Sequence, residues 1–64
     1  MIVEELEAVP PHTDIIYIDD AGREKTGAFL RYEPHLAACK LHITGDRGLE
    51  AHYVKPEDIK RVKG

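Results

Sequence analysis

Residues 41–54 read Leu41-His42-Ile43-Thr44-Gly45-Asp46-Arg47-Gly48-Leu49-Glu50-Ala51-His52-Tyr53-Val54, and this stretch decides the fold. Apolar and polar residues alternate on both sides of Asp46-Arg47-Gly48, which is typical of two half-buried strands joined by a tight turn. A glycine at the third loop position favours a type I turn followed by a left-handed bulge residue. The stretch therefore predicts a β-hairpin with a three-residue loop.

The loop length decides which residues of the two strands lie opposite each other, and this favours three loop residues over two. With two loop residues, apolar Ile43 lies opposite charged Glu50. With three, Ile43 lies opposite Ala51, which keeps apolar residues on one face of the sheet. The other pairs expected in this register are Leu41–Tyr53 and His42–His52.

An earlier turn is predicted at Asp19-Asp20-Ala21-Gly22, after an apolar first strand at residues 14–19. Gly22 suits the left-handed position of a three-residue hairpin loop. The acidic pair in this loop is better explained by turn formation than by acid–base chemistry. The residue pairs expected from this loop are Ile18–Glu24 and Ile16–Thr26.

A second turn is predicted where Pro34 follows Glu33, because proline suits the second position of a type I turn. A four-residue loop at 34–37 sets apolar residues opposite one another. A register shifted by one residue would place leucines opposite charged residues, so the apolar pattern favours the register with a four-residue loop. The expected pairs are Tyr32–Cys39, Leu30–Leu41 and Ala28–Ile43.

The two ends of the chain carry weaker patterns. Residues 2–9 place apolar residues at helical spacing over about two turns, too short to be stable alone, so a docked helix and an extended arm both remain open. Pro10-Pro11 ends that segment. Near the other end, residues 56–59 predict a single 3₁₀ turn, and residues 60–62 a short closing strand.

These elements predict an all-β fold, an antiparallel meander of four strands followed by a 3₁₀ turn and a short fifth strand. Residues 1–11 form an N-terminal arm or short helix, and residues 12–64 form one domain. The arrangement resembles the five-stranded SH3-like barrel, a group that includes Tudor and KOW-type domains. The segments that carry this resemblance, within residues 14–62, are Gly27-Ala28-Phe29-Leu30, Tyr53-Val54-Lys55-Pro56-Glu57-Asp58-Ile59 and Arg61-Val62.

The resemblance implies a fold and no single function, because SH3-like barrels carry many unrelated activities. The proline-recognising groove of peptide-binding SH3 domains uses clustered aromatic residues and a tryptophan. This chain contains no tryptophan. The resemblance therefore does not favour a proline-rich ligand.

The predicted registers assign each strand residue to an inner or an outer face. The residues expected to share the interior are Leu30, Leu41, Ile43 and Ala51. The candidate binding residues, expected on the outer face, are Ile15, Tyr17, Phe29, Arg31, Lys40, His42 and His52.

Three interpretations of this outer face remain open. Phe29 is expected opposite His42, and Arg31 opposite Lys40, two like charges that repel unless an anion or carboxylate lies between them. An aromatic and histidine stripe beside a basic pair suits a stacked base and a phosphate. It equally suits a protein interface. In the third interpretation, residues 2–9 fold over the apolar members of the set, and the patch is core.

Composition limits the class of protein. The chain has 64 residues and a formal charge of −3, and residues 1–24 carry seven acidic groups against Arg23 alone. This balance disfavours non-specific nucleic-acid binding. Cys39 is the single cysteine, so an internal disulfide is excluded and a reducing, cytoplasmic location is expected. The sequence predicts neither a signal peptide nor a membrane span.

Few residues of the sequence are candidates for metal binding or catalysis. His42 and His52, if opposite each other, offer two metal ligands where a site normally needs three or four, so no metal or other cofactor is expected. Cys39 is predicted inward beside Tyr32, where a thiol is usually an apolar filler. We expect a non-catalytic module that docks onto a larger protein or onto itself. The alternative is a nucleic-acid-associated module, and no membrane partner is expected.

Overall fold

The computed structural model describes residues 1–63 of the chain and is mostly β. Its elements are α1 (Val3–Glu7), β1 (Thr13–Ile18), β2 (Glu24–Glu33), β3 (Ala38–Gly45), β4 (Gly48–Val54), a 3₁₀ turn (Pro56–Asp58) and β5 (Ile59–Val62). All five strands form one antiparallel sheet in the order β4-β3-β2-β1-β5. The predicted five-stranded antiparallel sheet with a 3₁₀ turn before its last strand is confirmed.

The hairpin between β1 and β2 has the predicted register, with Ile18 opposite Glu24 and Ile16 opposite Thr26. Gly22 has a φ of +79°, the left-handed conformation that the loop requires. The Asp19 carboxylate accepts hydrogen bonds from two backbone N–H groups of the same loop, each at 2.9 Å. Turn formation therefore accounts for Asp19.

The hairpin between β2 and β3 also has its predicted loop, because Glu33 lies opposite Ala38 and leaves residues 34–37 between them. The pairs Tyr32–Cys39 and Arg31–Lys40 are confirmed. Between Phe29 and Arg31, a β-bulge shifts the register by one residue. The predicted pairs Leu30–Leu41, Ala28–Ile43 and Phe29–His42 are wrong, and the observed pairs are Phe29–Leu41 and Ala28–His42.

The bulge explains why the apolar pattern of β2 was assigned to the wrong face. An extra residue in one strand reverses the inside–outside alternation at that point. Phe29 therefore points to the same side as Leu41 before the bulge, and Tyr32 points to the side of Cys39 after it. Phe29 is 1% exposed whereas Leu30 is only half-buried, so the larger side chain occupies the core.

The hairpin between β3 and β4 has a two-residue loop, and the predicted three-residue loop is wrong. Gly45 lies opposite Gly48, and only Asp46 and Arg47 lie between them. Gly48 does have the predicted left-handed backbone, with a φ of +102°. The observed pairs that replace the predicted ones are Ile43–Glu50, His42–Ala51, Leu41–His52 and Lys40–Tyr53.

The exposure of β4 explains this error. Every residue of β4 is exposed except Val54, which is half-buried. A polar residue opposite Ile43 then costs little, because Glu50 reaches water from the edge of the sheet. Matching of apolar pairs selects a register only where one face is buried.

The core combines the sheet with the N-terminal helix. Its cluster of buried residues contains Leu6, Ile15, Tyr17, Phe29, Cys39, Leu41 and Ile59. Of the four residues predicted for the interior, Leu41 is buried, Leu30 and Ile43 are half-buried, and Ala51 is exposed. Ile15, Tyr17 and Phe29, which were predicted to face outward, are core residues.

Residues 2–9 adopt the helical alternative over Val3–Glu7. Leu6 is completely buried, Val9 packs against the core, and Ile2 remains 61% exposed. The Met1 nitrogen donates a hydrogen bond to the carbonyl oxygen of Pro56 at 3.1 Å, which ties the start of the chain to the 3₁₀ turn. In the described chain, residues 1–63, no helix has the length and apolar character needed to cross a membrane.

Candidate functional site

The apolar members of the predicted binding set do not form an exposed surface. Ile15 is 0% exposed, Phe29 is 1% exposed and Tyr17 is 7% exposed. All three belong to the cluster that also contains Leu6 of α1. Of the three interpretations of this patch, the one in which residues 2–9 cover it agrees with the structure.

The two histidines of the predicted set do not face each other. His42 lies opposite Ala51, and His52 lies opposite Leu41. Neighbouring residues of a strand point to opposite faces, so His52 is on the core-facing side of the sheet and His42 is on the other side. His52 instead has its Nε2 atom 3.3 Å from the Glu50 carboxylate. Among the described residues, no group of three or more His, Cys, Asp or Glu side chains is arranged to hold a metal ion.

The predicted basic pair is present, and Tyr53, which was expected opposite Leu41, lies next to it. Arg31 lies opposite Lys40, and Lys40 lies opposite Tyr53, so the three form a row across β2, β3 and β4. Tyr53 is 53% exposed. The Arg31 guanidinium pairs with the Glu33 carboxylate, which partly neutralises the like-charge pair.

A groove with a volume of about 640 Å³ lies between the β1–β2 turn and the end of β4. Its lining combines aromatic, apolar and acidic side chains, and part of it belongs to the core-facing side of the sheet. The lining residues are Tyr17, Ile18, Asp19, Asp20, Ala21, Ile43, His52, Tyr53, Val54, Lys55 and Asp58. Of the predicted binding residues, the groove contains Tyr17 and His52.

The middle of β2 shapes this groove through a buried glycine. A methyl group on Gly27 would lie 3.3 Å from Cγ1 of Ile43 and 3.4 Å from Cε1 of Tyr17. These distances are shorter than the optimum for carbon atoms, about 3.5 to 4.0 Å. The absence of a side chain at Gly27 therefore lets Tyr17 and Ile43 pack together beside the groove.

The electrostatics of the groove are set by its acidic turn. The backbone N–H of Arg23, with a further contribution from that of Ala21, lowers the pKa of the Asp19 carboxyl. Asp19 therefore stays negative at neutral pH. Burial raises the pKa of the Tyr17 hydroxyl, and the charge of Asp19 adds to the effect. Tyr17 remains a neutral hydroxyl that can donate a hydrogen bond into the groove.

Cys39 is not part of any exposed site. It is 0% exposed and lies opposite Tyr32, as predicted. Burial raises the pKa of its thiol to about 11. The nucleophilic thiolate is therefore scarce at neutral pH.

The comparisons with known proteins add no functional information. A scan against protein-family models, a search of curated proteins and a search of solved structures each found no match. The geometry of the groove and of the sheet edge is therefore the basis for any assignment of function.

Proposed function

We propose that this protein is a small non-catalytic interaction module that holds an extended segment of a partner protein in the groove beside β4. The observation that carries the proposal is the lining of the groove. Tyr17 and Ile43, which pack together beside Gly27, line the groove with His52, and Asp19, Asp20 and Asp58 belong to the same lining. Aromatic residues at the centre of a concave surface are enriched in protein-binding sites.

Charge indicates the chemistry of the partner segment. The rim carries the carboxylates of Asp19, Asp20 and Asp58 against the single ammonium of Lys55. A segment with apolar residues flanked by lysine or arginine complements such a rim, because opposite charges steer association and fix register. We therefore infer a basic, partly apolar ligand.

The SH3-like barrel and a cytoplasmic location belong to the same proposal. The meander order, with β5 returning beside β1 after a 3₁₀ turn, is in keeping with that type of fold. Groove ligands in small β domains are commonly bound between loops and strand ends. The single buried thiol of Cys39 is compatible with a reducing compartment.

Binding of a short fluorescent peptide tests the proposal. The probe carries leucines flanked by arginines, and its two control peptides replace the arginines with glutamate or the leucines with glycine. We expect fluorescence anisotropy to detect binding of the first peptide only. His52→Ala and Asp20→Lys should each weaken that binding by at least about tenfold.

Leu36→Ala is the matched control, because Leu36 is an exposed apolar residue outside the groove lining. It should leave the affinity unchanged. Equal binding of all three peptides, or equal affinities for His52→Ala and the unaltered protein, would contradict the proposal.

A second candidate function is binding of single-stranded nucleic acid, which the row Arg31, Lys40 and Tyr53 favours. An aromatic ring beside two cations can stack on a base while the cations contact phosphates. The formal charge of −3 opposes it. Affinity for a labelled oligonucleotide must fall steeply with salt if phosphates are bound, and no binding at low salt would remove this candidate.

A further inference from the structure

The outer edge of β4 lacks three of the features by which edge strands usually avoid pairing with other chains, and Glu50, on the core-facing side, is its one charged residue. Natural edges are commonly protected by lysine, proline or a bulge. β4 contains neither lysine nor proline over Gly48–Val54, and its pairing with β3 is regular from Cys39 to Gly45. Two of its side chains, Leu49 at 70% and Tyr53 at 53%, are among the most exposed large apolar groups of the described chain.

The sequence of β4 is self-complementary. When two copies of a strand pair antiparallel in one continuous sheet, directly opposite residues point to the same face. The twofold axis must then pass through a residue that lies opposite its own copy. The registers that keep most of β4 paired have the axis at Glu50, at Ala51 or at His52.

Charge and side-chain size select one of these registers. An axis at Glu50 sets two carboxylates directly opposite each other, and an axis at His52 sets two histidines opposite each other and leaves both carboxylates without a partner. An axis at Ala51 places each Glu50 opposite His52 of the second copy. Opposite like charges destabilise a sheet and opposite unlike groups stabilise it.

The same register also covers the exposed apolar groups. With the axis at Ala51, Leu49 of each copy lies opposite Tyr53 of the other, on the face away from the core. Aromatic and aliphatic cross-strand neighbours have side-chain bases about 4.5 to 5.5 Å apart and pack well. The small side chain of Ala51 at the centre leaves room for both pairs.

We propose that two copies of this protein associate through β4, antiparallel about a twofold axis at Ala51, to form one continuous sheet. The contact uses the edge of β4 and goes beyond the groove assigned to a partner segment. A single strand pair buries less surface than the roughly 1,200 to 2,000 Å² of standard stable interfaces. The dimer is therefore weak, and the fraction of protein in the dimer rises with protein concentration.

Cysteine cross-linking tests the register. In an Ala51→Cys variant, the two thiols lie opposite each other at a Cα separation of about 4.5 to 5.5 Å, within the range for a disulfide. Leu49→Cys is the matched control, because that residue lies opposite Tyr53 instead of itself. Cys39 stays in both variants, since it is buried and its thiol is unreactive.

Under mild oxidation, we expect disulfide-linked dimers to form at least about tenfold faster with Ala51→Cys than with Leu49→Cys, because only the first pair meets the geometric requirement. Equal rates would overturn the register. Light scattering that shows only monomer across the attainable concentration range would overturn the dimer.

Charge exchange provides an independent test. Glu50→Lys sets a lysine opposite His52, and His52→Glu sets a glutamate opposite Glu50, so each variant alone should weaken dimerisation by about tenfold or more. Mixing the two variants restores opposite charges at both positions and should restore the dimer. Failure of the mixture to associate better than either variant alone would overturn the proposal.

The outcome is distinguishable from that of the groove proposal. Leu49→Lys adds an edge lysine outside the groove lining, so it should abolish the dimer while leaving peptide affinity unchanged. Loss of the dimer without loss of peptide binding supports both assignments. Loss of both together would show that the edge and the groove are one site, and would overturn the assignment of the dimer contact to a separate surface.

Discussion

Replacing Leu6 with alanine tests whether α1 is part of the core that the sheet requires. Leu6 is completely buried against strand residues such as Phe29, although it lies in a helix of only five residues. A helix of that length is unstable in water by itself. Its position therefore depends on packing against the sheet, to which Leu6 contributes the buried side chain of the helix.

The expected cost is large for a chain of this size. Truncating a fully buried leucine to alanine removes about 3 kcal/mol, the sum of lost transfer energy and the cavity left behind. A chain of 64 residues has a free energy of unfolding of about 3 to 10 kcal/mol. Leu6→Ala should therefore remove between a third and all of the stability.

Urea unfolding followed by circular dichroism measures the effect. With a slope of about 1 kcal/mol per molar urea, the midpoint should fall by about 3 M. Leu6→Val provides a smaller perturbation of about 1 kcal/mol in case the alanine variant does not fold. Ile2→Ala, at a residue that is 61% exposed, should change stability by less than about 0.5 kcal/mol. Equal effects of Leu6→Ala and Ile2→Ala would refute the packing of α1 on the sheet.

Three further predictions concern single residues. Ala37 has a φ of +50°, so Ala37→Gly should raise the free energy of unfolding by about 0.5 to 1 kcal/mol, because glycine adopts that conformation without strain; a lower urea midpoint would contradict this. Cys39 should react with a thiol reagent at pH 8 only when the protein unfolds, since its pKa is about 11; rapid labelling under native conditions would show that it is exposed. The lowered pKa of Asp19 stabilises the folded protein above the ordinary carboxyl pKa of 3.8, and this stability is lost as pH falls through the lower folded pKa. Asp19→Asn should therefore flatten the decline in melting temperature below about pH 4, and an unchanged profile would contradict that assignment.

Two of the three hairpin loops were predicted correctly from their turn residues, whereas the β3–β4 loop was not, although Gly48 has the expected left-handed backbone. Gly22 and Pro34 have restricted roles in loops, so the β1–β2 register and the loop at 34–37 were predicted correctly. The bulge near Leu30 was not, because both Phe29 and Leu30 are apolar. Either residue could occupy the inner apolar position, so the apolar pattern does not indicate the extra residue that forms the bulge.

Part of the expected placement of the candidate binding residues was wrong because the register and exposure of the edge strand β4 differ from the prediction. Tyr53 was placed inward opposite Leu41 because β4 was assumed to have a buried face. In the structure Leu41 lies opposite His52, which lines the groove, whereas Tyr53 lies opposite Lys40 on the other face of the sheet. The core-facing residues of β4 are Gly48, Glu50, His52 and Val54. Their small size or polarity was the sequence signal that β4 buries little surface.

We propose that a partner segment binds between the acidic β1–β2 turn and the end of β4. Two-dimensional ¹H–¹⁵N NMR of the labelled protein, titrated with the arginine–leucine peptide, tests it most directly. We predict progressive shift changes at Asp20, Ala21 and residues 52–55, with the amide resonances of Leu36 and Ala37 unmoved. Changes confined to Arg31 and Lys40 on the opposite face of the sheet, or none at any peptide concentration, would contradict it.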